Sequence, residues 1–189
     1  MSIDNVKVNV LEENLASDAI DNIQKELQRI EECCDYSSKG HFVSSKDWEK
    51  WHFWLGISAT IFSIIASCLA SACLGYGHWV VIMTMLASAA SAIITFLKPS
   101  EQSEIRRSFA NQYLAHRNQC RRFREIEITL LRDNSQRLLE RFSDLAQKFD
   151  DLNNSAPTIP DYCYKKAKRG IEAGQTIHKV DLQEKQTCQ

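Results

Sequence analysis

From Trp51 to Leu97 the chain carries no Lys, Arg, Asp or Glu, and the turn Gly75-Tyr76-Gly77 is the only break in this apolar run. On either side of it, Phe53–Leu74 and Trp79–Leu97 are each about 20 residues long. At ~1.5 Å rise per residue that is enough to cross a hydrocarbon core of ~30 Å. The run predicts a membrane hairpin of two spans, residues 53–74 and 79–97. So short a connection leaves almost nothing on the far side, which assigns recognition or chemistry to the flanking segments. The mean hydropathy of −0.33 conceals this, because the residues before and after the run are densely charged. No cleaved secretory signal is expected, since an acidic-leaning segment of chain precedes the first span.

Basic residues near the span ends, Lys46 and Lys50 before and Lys98, Arg106 and Arg107 after, contrast with the uncharged turn. The positive-inside rule then places both termini in the cytoplasm. Trp48, Trp51, Trp54, Tyr76, Trp79 and Lys98 stand where interfacial anchors are expected. Seven cysteines form no disulfide framework on this topology, because they fall in reducing cytoplasm or in the membrane. None shows zinc spacing, and the Cys33-Cys34 pair reads as small buried residues.

Outside the hairpin the periodicity is helical throughout. Leu11, Leu15, Ala19, Ile23, Leu27 and Ile30 form one stripe of a helix over 11–35, with an acidic opposite face. Ser37-Ser38-Lys39-Gly40 reads as a linker into the membrane. After the Lys98-Pro99-Ser100 break, Ile105, Phe109, Tyr113, Cys120, Phe123 and Leu130 trace a stripe, and Leu138, Phe142, Leu145, Phe149 and Leu152 trace a second with the same coiled-coil rhythm. The polar stretch 132–136 between them predicts a bend near Asp133 rather than one continuous helix, so that residues 100–152 form two helices packed on Leu11–Cys34. A last helix over 160–173 follows a Pro-containing loop, with Thr158 and Asp161 at capping-box spacing. Residues 1–7 and 179–189 are expected to be flexible ends. The fold class is all-α: a two-span hairpin with an N-terminal cytoplasmic helix and a C-terminal cytoplasmic helical bundle.

Thr60, Ser63, Ser67 and Ser71 in the first span, with Gly56, share one face, and Thr84, Ser88, Ser91 and Thr95 share another in the second. Two readings stand. Small residues let membrane helices approach closely, their hydroxyls bonding across the contact or back to the helix. Alternatively, one stripe lines a weakly polar channel in an oligomer. The absence of intramembrane charge disfavours proton relays, ion-coupled transport and voltage sensing.

Arg106, Arg107, Arg117, Arg121, Arg122 and Arg124 make the first cytoplasmic helix basic, and Lys165, Lys166, Lys168 and Arg169 form a second cluster. These match either the acidic N-terminal helix and anionic lipid headgroups or an anionic ligand. No Gly-rich phosphate loop or aromatic-interleaved basic motif is present, so nucleic acid is not an expected partner. His41, His52, His78, His116 and His178 read as lone surface or interfacial residues. With no catalytic spacing among them, no enzyme activity, cofactor or metal is expected.

Several short motifs occur in a fixed order: Trp48-Glu49-Lys50-Trp51-His52-Phe53-Trp54, Thr95-Phe96-Leu97-Lys98-Pro99, Ala110-Asn111-Gln112-Tyr113, and Leu152 through Pro160 followed by Tyr164, Ala167 and Gly174. Together they resemble the SLATT family, two-transmembrane effector domains associated with SMODS and SLOG proteins, over residues 8–178 as one domain. The resemblance implies a membrane effector of a bacterial conflict or antiphage system. Such an effector oligomerises and permeabilises the inner membrane when triggered by a separately encoded nucleotide-signalling or sensor protein. It supplies no catalytic residues. The alternative is a non-conducting membrane adaptor that recruits a cytoplasmic partner.

Overall fold

The computed structural model describes residues 3–71, 77–131 and 134–173, with side chains from Ser17 onward. Among these residues every regular element is helical, as periodicity predicts: α1 Ile3–Ser71, α2 Gly77–Leu97, α3 Pro99–Arg122, α4 Ser135–Ser155 and α5 Asp161–Glu172. A π-helical turn, Phe123–Glu127, extends α3 into Ile128–Leu130.

Helix α1 corrects two expectations. It begins at Ile3 rather than Leu11, and it runs through Ser37-Ser38-Lys39-Gly40, where a linker is predicted. No proline interrupts it. Ser38 Oγ donates to the Asp35 carbonyl at 3.1 Å, keeping the serine inside the helix. At Gly40 the stretch marks a close packing contact instead of a linker. A Cβ added at Gly40 would stand 2.9 Å from Ile159 Cδ1, so only glycine lets that side chain sit so close to the helix.

The chain divides into two compact units, one of Met1–Gly40 with Phe109–Gln189 and one of His41–Ser108. In the first unit Ile23, Leu27, Ile30 and Cys34 of α1 bury against Tyr113 and Cys120 of α3, Phe123 of the π-turn, Ile128 beyond it, and Leu138 and Leu145 of α4. Burial of each large aliphatic or aromatic side chain here stabilises by ~1.5–3 kcal/mol. Tyr113 Oη donates to Asn153 Oδ1 at 3.0 Å, the His116 ring stacks on Phe149, and Arg141 reaches Glu127 at 3.4 Å. These pairs run in opposite directions along the two helices, so α3 and α4 are antiparallel. The predicted bend is present. Leu131 leaves helical geometry, and Asn134 caps α4 by accepting from the Arg137 amide at 3.2 Å. Arg132, Asp133 and the Leu11 and Leu15 side chains lie outside the described residues.

The π-turn overturns one stripe position. Ile128 N–H bonds to the carbonyl of Phe123, five residues back, and both side chains are buried. The added residue turns the following chain by about 100°, so Leu130, expected on the stripe, is 76% exposed. Ile105 is also more exposed than its stripe position predicts, at 38%. At α5 the helix starts two residues later than a Thr158 cap would place it. Pro160 is the N-cap and offers no side-chain bond, while its carbonyl accepts from the Cys163 and Tyr164 amides. Cys163 and Ala167 are the buried residues of this helix.

In the second unit α2 ends at Lys98, whose φ of 41° is left-handed and whose N–H donates to the Ile94 carbonyl at 3.0 Å. Pro99 opens α3 at a position where no amide donor is needed. The break predicted at Lys98-Pro99-Ser100 is thus a single-residue corner.

Candidate membrane hairpin

Helices α1 and α2 each contain an apolar window long enough to cross a membrane, with hydropathy of 1.9 and 2.2. A core helix of a soluble protein would bury such a window. Here 6% and 11% of the two windows are buried within the chain. Trp54, Ile64, Met85 and Phe96 face outward, Phe96 at 87% exposure. This outward apolar surface is what a hydrocarbon solvent requires.

Ala66, Ala87 and Ala90 are the buried residues where the two helices meet. Beside them an open groove of about 350 Å³ is lined by Ser63, Ala66, Ser67, Ala70, Val80, Thr84, Ala87 and Ser88. The structure therefore brings together half of the two predicted stripes, Ser63 and Ser67 with Thr84 and Ser88. Thr60 belongs to a separate groove formed by α1 alone, with His52, Phe53, Gly56, Ile57 and Ile61. A Cβ at Gly56 would meet nothing within 4 Å. Ser71, Ser91 and Thr95 are exposed.

The hydroxyl donors are mostly spent within their own helices. Thr60 donates to the Gly56 carbonyl, Ser63 to Ala59, Ser67 to Ser63, Ser71 to Ser67 and Cys68, Thr84 to Val81, and Thr95 to Ser91, all at 2.9–3.0 Å. Of the two packing devices foreseen, bonding back to the helix is the one these residues use.

Trp51, Trp54, Trp79 and Lys98 are exposed. Trp48 is not: it is half-buried, with the Arg106 guanidinium 6.0 Å from its ring centroid. Tyr76, the Gly75-Tyr76 part of the turn, Cys73 and the tail from Gly174, including His178, lie outside the described residues.

N-terminal to the apolar window of α1 lies a buried polar contact that the sequence does not announce. Ser45 Oγ and Ser103 Oγ are 2.9 Å apart, Ser103 Oγ is 3.1 Å from the Ser45 carbonyl and 3.3 Å from Glu49 Oε1, and both serines are nearly inaccessible. Ser44, His41 and Arg106 are also buried. Burial, reinforced by the Arg106 charge, lowers the His41 pKa to about 4, so its imidazole is neutral. Small residues at 44, 45 and 103 allow α1 and α3 to approach, and the Ser44-Ser45 doublet was the available signal. His116 is likewise buried, its pKa lowered by burial and then by Lys148. The surface reading of the histidines is thus corrected for His41 and His116, while His52 and His78 are exposed.

The six arginines do not form one anion site. Arg117 pairs with Asp35 at 3.0 Å, and Arg124 forks onto Glu31 at 2.8 and 3.2 Å. Arg106 is buried, Arg121 half-buried, Arg107 exposed and 3.9 Å from Glu49, and Arg122 exposed. Electrostatic matching to acidic α1 accounts for Arg117 and Arg124. Among the described residues no cluster of His, Cys, Asp and Glu could hold a metal ion. Cys34 and Cys120 are buried free thiols whose pKa values burial pushes up, Cys120 to about 11, which keeps them protonated and unreactive.

In comparisons with known proteins, no family model, no curated protein and no solved structure matches this chain.

Proposed function

We propose that this chain is an oligomeric effector of the inner membrane, with both termini cytoplasmic, that permeabilises the bilayer when triggered by a separately encoded nucleotide-signalling or sensor protein. Its setting is a bacterial conflict or antiphage system. The observation that supports it is the pairing of Ser63 and Ser67 with Thr84 and Ser88 along an open, charge-free groove between two helices whose other apolar side chains face outward. Two helices cannot enclose water, so the conducting unit requires several hairpins. With no charge in the spans, such a pathway is weakly selective or gated by dewetting. The test is membrane potential, read with a voltage-sensitive dye in bacteria expressing the chain with its gene neighbour. Rapid depolarisation that disappears in Ser88→Leu and Ser91→Leu, with insertion retained, is the expected result. Depolarisation undiminished in both variants rejects a pore on that stripe.

A second reading, a non-conducting adaptor whose cytoplasmic helices recruit a partner, is favoured by the hydroxyls bonded back to their own helices. It requires function to survive replacement of both spans by an unrelated hairpin.

A further inference from the structure

We infer that α5 carries a docking face for the anionic headgroups of the bilayer. Tyr162, Lys165, Lys166 and Arg169 recur at the three-four spacing that places them on one side of the helix, and all four are exposed. The opposite side is pinned to the first unit by buried Cys163 and Ala167, by Tyr164 against Tyr36 with ring centroids 6.0 Å apart, and by Ile159 over Gly40. The basic face is therefore held outward. Its acids stand at the ends: Asp161 opens the helix, and Glu172 reaches Lys168, off the stripe, at 3.9 Å.

Two arginines near the end of α3 and in the π-turn contrast with this face. Arg117 and Arg124 have their charge met by Asp35 and Glu31 of α1. Lys165, Lys166 and Arg169 have no carboxylate within ion-pair distance among the described residues. An outward tyrosine beside three cations fits a lipid interface, where aromatic rings and basic side chains both reside. In sequence, the part of α1 that holds α5 leads directly to the first span. Each cation near an anionic leaflet favours docking by about five-fold, so three give on the order of a hundred-fold.

The inference rests on the chain being embedded in a bilayer, which co-purification with nanodiscs checks separately. The full chain is incorporated into nanodiscs of phosphatidylcholine alone and of phosphatidylcholine mixed with phosphatidylglycerol. Acetylation rates of Lys165 and Lys166 are then read by mass spectrometry against exposed Lys25. Docking predicts acetylation slowed several-fold by phosphatidylglycerol, relieved by salt, and partly relieved in Arg169→Gln. Equal rates in the two nanodiscs overturn it. So does protection by soluble polyglutamate without protection by phosphatidylglycerol, which assigns the face to an acidic protein. A chain that does not enter nanodiscs overturns the membrane reading and the docking with it.

Discussion

Arg124 donates from Nε and a terminal nitrogen to the two carboxylate oxygens of Glu31, at 2.8 and 3.2 Å, tying α3 to α1 beside buried Phe123. The hydrogen bond to Glu31 raises the pKa of the guanidinium, and both side chains are largely shielded from solvent. A shielded fork of this kind resists the loss of one partner more poorly than the loss of both. Glu31→Ala or Arg124→Ala should each destabilise by about 2 kcal/mol. The double variant should lose clearly less than the sum. Thermal unfolding in detergent, followed by circular dichroism, measures the coupling, and strict additivity would contradict it.

The π-turn reverses the ranking that a simple helical stripe assigns to two residues. Ile128→Ala opens a cavity in the core and should cost ~2–4 kcal/mol, whereas Leu130→Ala should stay within about 0.5 kcal/mol. Comparable losses at both sites would mean that the helix keeps α-register through Phe123–Glu127.

Gly40 sets a helix preference against a tertiary contact. Alanine in a helix interior is favoured over glycine by about 1 kcal/mol, but here its methyl would crowd Ile159. Gly40→Ala should be neutral or destabilising in the native chain and stabilising by about 1 kcal/mol in an Ile159→Ala background. The same sign in both backgrounds would show that Ile159 does not sit against this helix.

His41 confers a pH dependence of definite sign. Its folded pKa of about 4 lies below the ordinary 6.5, so the unfolded chain binds the additional proton between these values. Stability contributed by the neutral imidazole is full above pH ~6.5, falls as pH drops toward ~4, and levels off below. The limiting loss is about 3 kcal/mol. His116 acts in the same direction. Melting temperatures across this range should fall less steeply for His41→Gln than for the native chain, and parallel profiles would remove His41 as a contributor.

The two long apolar helices, the helical class and the bend after Leu131 are legible in the amino acids because each follows from a one-dimensional signal: absence of charge, three-four spacing, a polar break. The core residues of α1 and α4 follow from the same periodicity, since burial on one side of a helix needs only regular spacing. Tertiary packing alone decides the others. Ser38 and Gly40, which read as a linker, are helical: Ser38 bonds back to the Asp35 carbonyl, and the missing side chain of Gly40 leaves room for Ile159. Leu130 leaves the core because a single π-turn shifts the register, and no local propensity announces it. Six similar arginines acquire different fates because partners on α1 are distant in sequence and close only after folding. Periodicity records which side of a helix is buried; what lies against that side, and whether a charge finds its counter-ion there, is a property of three-dimensional proximity.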